Sequence, residues 1–178
     1  MRMFSILLIF FFQNSMPELM RNVPSGPGVY FLKNGTEWGR LSRAPIVEVK
    51  SKDLDAFILT SGYVDFEIKI ACSGAKAAAR IANPKPVFFI REVGSAKELM
   101  LIQLSSKKNK RTFDMVSSAA TVENKGGFNK KSICKMKVTQ YPDGSFSATP
   151  EKDLKAGEYL LVFGIATLSF DFGVDEGL

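Results

Sequence analysis

The chain has 178 residues, 46% of them hydrophobic, with 15 phenylalanines, no histidine and a formal net charge of +6. That length is enough for one real hydrophobic core, and so for a single domain rather than two. The missing histidine excludes Ser-His-Asp and Cys-His nucleophile pairs, imidazole-ligated zinc and histidine-bound haem.

Met1-Arg2 precede the apolar run Met3 to Phe12, and Gln13-Asn14-Ser15 follow. A short positive start, a greasy stretch and a polar end are the layout of a secretory signal peptide. The run is shorter than the roughly 20 residues a membrane-spanning helix needs, so no transmembrane span is expected. The sequence thus predicts a leader over 1–15, cleaved there or as late as residue 25, then a single β-rich domain over 26–178 in a secreted or periplasmic protein. The alternative is a true start at Met16 or Met20 and a cytoplasmic chain.

Past the leader, strands and turns alternate. GVYFLK runs into Asn34-Gly35, the strongest short hairpin signal because both turn residues take positive φ. Asn34-Gly-Thr36 is formally a glycosylation sequon, but the turn already explains it. PIVEVKSK (Pro45 to Lys52) alternates apolar and charged residues and reads as an edge or a half-exposed strand. A short helix over 52–59 is an open alternative.

DFEIKIAC places Phe66, Ile68, Ile70 and Cys72 on one face. SGAKAAARIA (Ser73 to Ala82) is ambiguous: alanine favours helix, yet alternate residues would also line a strand. PVFFIREV suits a strand buried on both sides, and ELMLIQL after Gly94-Ser95 suggests a hairpin with it. KKNKRTFDMV turns again, 117–132 reads as a flexible loop, and SICKMKVTQY alternates Cys134, Met136 and Val138 against Lys135 and Lys137. Pro142-Asp143-Gly144 makes a turn from which SFSATP returns. GEYLLVFG and LSFDFGV form a closing pair. Strands at roughly 8–12-residue spacing predict an all-β, antiparallel sandwich of about nine or ten strands with at most one or two short helices.

Local chemical motifs are sparse. Asp171-Phe172-Gly173 matches the magnesium-binding letters of protein kinases, but the Gly-rich loop, strand lysine and His-Arg-Asp loop that must accompany them are missing. Alternation of Leu168, Phe170, Phe172 and Val174 makes the stretch a closing strand, with Asp171 expected to face away from the core. Ser73-Gly-Ala-Lys76 matches Ser-x-x-Lys, a pattern that recurs at Ser105 to Lys108 without its companion motifs. Carboxylate pairs for a hydrolase leave no local signature. No catalytic residue, metal ligand or cofactor is therefore assigned.

Cys72 and Cys134 each fall on the apolar side of an alternating strand, which in an exported protein points to a disulfide or to two buried thiols. From Lys107 to Lys137 nine basic residues stand against Asp114 and Glu123, whereas Glu151 to Glu176 holds six acids and two lysines. Lys107, Lys108, Lys110 and Arg111 form the candidate binding cluster, suited to an anionic polymer or glycan. The same residues also describe a solvated hairpin loop. Nucleic acid is disfavoured by the missing recognition motif and by the leader.

GVYFL, the central PVFFI and above all KAGEYLLVFG leading into FDFGVD resemble a group of uncharacterised exported bacterial proteins. Those proteins open with Gly-x-Tyr and close with Pro-Gly-Glu-Tyr followed by an Asp-Phe-Gly ending. The resemblance spans about Gly26 to Asp175 and departs at Ala156, where the group more often carries proline. It implies a secreted or periplasmic β-rich module and supplies no activity. Leu-x-x-Gly-x-Tyr also occurs in Ig-like and transthyretin-like sandwich modules. The expected function is a non-enzymatic envelope module that binds a partner, such as another envelope protein, or serves structural association. A polyanion- or glycan-binding module on 107–111 and a carboxylate-based hydrolase are the alternatives.

Overall fold

The computed structural model describes residues 22–33, 35–52, 59, 66–117, 127–128, 131–164 and 168–176. The predicted leader, residues 53–58 of the helix alternative over 52–59 and most of the 117–132 loop lie outside these residues, as does Asn34. The described chain is all β. Its strands are β1 (Gly28–Lys33), β2 (Glu37–Arg40), β3 (Ile46–Lys52), β4 (Phe66–Ser73), β5 (Arg80–Ile81), β6 (Phe88–Arg91) and β7 (Leu99–Lys107). Then follow β8 (Lys110–Ser117), β9 (Gly127–Phe128), β10 (Ile133–Cys134), β11 (Met136–Gln140), β12 (Phe146–Pro150), β13 (Gly157–Phe163) and β14 (Leu168–Val174).

One sheet runs β11-β12-β6-β1-β2 and the other β3-β4-β8-β7-β13-β14-β5, with β9 and β10 added to β8 and β7. Among the described pairings only β5 against β14 is parallel. The main core lies between the two sheets. Val29, Phe31, Phe88 and Ile90 of the first meet Leu101, Tyr159, Leu161 and Phe172 of the second. Phe172 packs 5.1 Å from Phe88 and 5.5 Å from Tyr159, between ring centroids.

β7 then changes partners. It pairs with β13 through Leu104 and with β8 from Ser105 onward, and this carries β8, β4 and β3 back over the outer face of β7 and β13. Ile70, Cys72, Phe113 and Met115 close there on Ile102, Leu104, Leu160 and Val162, forming a second core. β13 is consequently buried on both faces, which is why EYLLVF is continuously apolar after Glu158. A third cluster of Val23, Tyr30, Phe89 and Tyr141 covers the outer side of β6 and β1. Phe88, Phe89 and Ile90 are all fully buried, as the sequence predicts for a strand buried on both sides.

The predicted β1–β2, β11–β12 and β13–β14 hairpins form. Gly35, at φ 78°, and Gly144, at φ 81°, take the left-handed backbone those tight turns require. Two expectations need correction. β6 and β7 are not a hairpin: β6 pairs with β1 and β12, and β7 lies in the opposite sheet. Glu92 at φ 53° and Gly94 at φ 61° turn the chain from one layer to the next. Ser73 to Ala82, open between helix and strand in the sequence, runs from the end of β4 through bends and irregular backbone into the short β5, because its backbone is held by groups from other strands.

The second correction concerns the disulfide alternative for the cysteines, which are both free thiols. Each faces apolar neighbours, but Cys72 sits in the second core and Cys134 packs against the main core. The β7–β13 layer stands between them. Burial pushes both thiols above their ordinary pKa. A thiol titration with dithionitrobenzoate is expected to find Cys134 reacting slowly in native protein and Cys72 only after denaturation. Failure to detect any thiol in denaturant without reductant would restore the disulfide.

Candidate functional site

The densest group of ionisable side chains lies between the β4–β8 ribbon and the β13–β14 hairpin. Arg111 is the second residue of β8, level with Cys72 of β4. It therefore shares the inward face with Phe113 and Met115, while Lys110, Thr112 and Asp114 point the other way. Its guanidinium is 1% exposed. Nη1 donates to Asp171 Oδ2, Nε to the Gly74 carbonyl at 3.0 Å and Nη2 to the Ser73 carbonyl at 2.7 Å. Glu158 Oε2 is 3.8 Å from the same Nη1.

Glu158 links this cation to a second one. Its Oε2 accepts from the Ala77 amide at 2.7 Å and its Oε1 from Arg80 Nη1 at 2.6 Å. Arg80 also donates through Nε and Nη2 to Asp175 Oδ1. That contact holds the Asp175 carboxyl below its usual range and raises the Arg80 guanidinium further. Ser106 Oγ donates to the Ala75 carbonyl at 2.7 Å, and the Gly173 amide to the Ala79 carbonyl at 2.9 Å. The 73–80 segment is thus stitched along its length across β13 and β14. Among the described residues no buried side-chain nitrogen or oxygen lacks a partner.

Each letter of Asp171-Phe172-Gly173 has a place in this arrangement. Asp171 neutralises Arg111, and Phe172 fills the main core. Gly173 leaves room for Arg80, whose guanidinium a Cβ there would overlap. The expectation that Asp171 faces away from the core is correct only for the main core. Its other side is covered by the second layer, and the residue is 6% exposed. Among the described residues no group of His, Cys, Asp and Glu has the clustering a metal ion needs.

The predicted basic cluster does not stay together. Lys107, Lys108 and Lys110 sit at the exposed tip of the β7–β8 hairpin, where Lys108 takes φ 49°. Lys110 Nζ donates to Glu48 Oε2 at 2.6 Å, and Lys50 lies 2.8 Å from the other oxygen. Lys110 first and Lys50 second hold the Glu48 carboxyl down to about 2, so it stays ionised at any physiological pH. Arg111 turns inward and is lost to solvent. Period-two alternation back from Met115 and Phe113 would have placed it there. Ser73 and Lys76 are likewise part of the stitched segment, where the Ser73 carbonyl serves Arg111.

The shallow clefts carry little convergent chemistry. One of about 540 Å³ is lined by Arg40, Arg43 and Glu92 together with Leu168 and Phe170, but Arg40 already donates to the Pro27 carbonyl at 2.8 Å. Another of about 330 Å³ lies beside Cys134 and Tyr159. Tyr159 gives its hydroxyl to the Lys155 carbonyl, and burial pushes that phenol up to about 12. Comparison with protein-family models, with curated proteins and with solved structures returns no match.

Removing one partner of a buried ion pair strands the other. Asp171→Ala is expected to lower stability by about 3–5 kcal/mol in urea denaturation. Arg111→Met combined with Asp171→Leu should recover most of that loss, since it removes both charges at similar volume. A single Asp171→Ala within about 0.5 kcal/mol of the parent would show that the pair carries no such burden.

Proposed function

We propose that the chain is an exported, non-catalytic β-sandwich module that works by association in the cell envelope through the open edge of β3. One observation carries this reading. β3 ends its sheet with no strand on its outer side among the described residues, and it exposes Ile46, Val47 and Val49, the last two by 57% and 64%. Unpaired backbone donors and acceptors beside apolar side chains make a surface that recognises another extended strand. The leader layout of residues 1–15 supports the export part of this reading.

The alternatives have less to work with. A polyanion site keeps Lys107 and Lys108 as exposed cations, while Lys110 is engaged by Glu48 and Arg111 is buried. A carboxylate hydrolase would have to use acids other than Glu158, Asp171 and Asp175, which two arginines occupy.

The chain from Met1 to Leu178 produced in bacteria is expected to leave the cytoplasm and co-sediment with the envelope fraction. Val47→Lys with Val49→Lys should release it into the soluble exported fraction without changing its circular dichroism. Undiminished sedimentation of the folded double variant would end the edge reading, and retention of the parent in the cytoplasm would end the export reading.

A further inference from the structure

We propose that the strand taken up by β3 is β3 of a second copy of this chain, paired antiparallel about a twofold axis through Val49. This rests on the edge-association reading above and adds the identity of the partner.

Over the regular part of β3, Glu48 to Lys52 beyond the slip at Val47, the register follows from symmetry and charge. Joining two identical edges into one continuous sheet needs a twofold axis perpendicular to it, and directly opposed side chains then lie on the same face. The axis must pass through a residue position. Val49 is level with Ile70 and Ser51 with Ile68, on the face of the second core, whereas Glu48 and Lys50 are level with Ala71 and Lys69 on the other face. An axis through Glu48 sets that carboxylate against its own copy, and one through Lys50 sets two ammonium groups together. An axis through Ser51 opposes Lys50 to Lys52 twice. Through Val49, Glu48 faces Lys50 of the second copy twice, and the two Val49 side chains meet.

Further observations fit this register. The pairing of β3 with β4 slips between Ile46 and Glu48, so the bulge lies outside the three central opposed positions. Lysines and bulges protect sheet edges from indiscriminate pairing. Here the central lysine is answered by a glutamate, so the protection is lifted for this one partner. Val49 also gains an apolar neighbour on the face that already carries half-buried Ile68. Glu48 keeps its bond from Lys110 and exchanges its intrachain Lys50 for the other copy's. A seven-residue edge sits at the weak end of interface sizes, so the dimer is expected to depend on concentration.

Sedimentation velocity of the purified chain from micromolar to millimolar should show a monomer passing to a dimer, and Val49→Lys should remain a monomer with unchanged circular dichroism. Opposed positions of an antiparallel pair lie about 4.5–5.5 Å apart at Cα, within disulfide reach. In a Cys134→Ser background, Val49→Cys should therefore give a covalent dimer under mild oxidation. Val47→Cys and Ser51→Cys should each stay monomeric alone and cross-link when mixed. A parent that remains monomeric throughout, or cross-linking no faster at Val49 than at Val47, overturns the self-pairing. If such a monomer still co-sediments with envelopes and loses this with the double lysine variant, the edge reading stands and only the second-copy partner falls.

Discussion

The fold depends on a cation placed where a hydrophobic side chain would be expected. Arg111 lies between two layers of apolar strands, and its three nitrogens are matched by Asp171 and by the Ser73 and Gly74 carbonyls. Desolvating such a charge is costly, and its partners offset the cost only where all of them are in position. The β4–β8 ribbon can therefore close over β13 and β14 in one arrangement and not in a neighbouring register. Apolar contacts such as Phe113 and Met115 against Leu160 and Val162 supply the drive to cover the sheet. The arginine specifies where the cover lands.

The same constraint explains why an alanine-rich stretch is not a helix. Ser73 to Ala79 has good helix propensity at several positions, yet its carbonyls are drawn off by Arg111, Ser106 and the Gly173 amide. Backbone groups engaged in this way are not available to an i to i−4 ladder. Glu158 adds the reciprocal hold by accepting from the Ala77 amide. Tertiary contacts from four strands, β7, β8, β13 and β14, outweigh a propensity difference that amounts to about a few tenths of a kcal/mol per residue.

Much of the strand layout was legible in the sequence because it is encoded locally. Asn34-Gly35, Pro142-Asp143-Gly144 and the alternation of Phe170 and Phe172 each mark a turn or a face within a few residues. The layer order was not. GSA between β6 and β7 looks like a hairpin turn, but it passes the chain between sheets, and no local pattern distinguishes the two. Alternation of apolar and polar residues implies one wet face, which points Asp171 away from any core and cannot tell which core Cys72 and Cys134 enter. The contrary signal sat in the partner strand: Leu160 and Val162 beside Tyr159, Leu161 and Phe163 make β13 apolar on both faces, and a hairpin partner of such a strand must also be covered. The candidate cluster failed at Arg111 for a related reason, since a run of cations hid the point where strand alternation resumes.

Stacking three layers uses up sheet faces and leaves the edges as the places where backbone groups remain available. The described edges differ in how they are blunted. β5 is two residues long and β2 four, while β11 presents Lys137, Thr139 and Gln140 to solvent. Short length and exposed polar side chains are ordinary protections against pairing. β3 departs from this pattern. It is the longest of the four, and its middle carries Val49 between Glu48 and Lys50. Opposite charges on either side of an exposed apolar residue repel an edge of arbitrary sequence less than a lysine run would, and they match their own reversed copy. A lysine at Val49 would be the ordinary protection for such an edge, and the proposed second strand supplies a physical reason for a valine in its place.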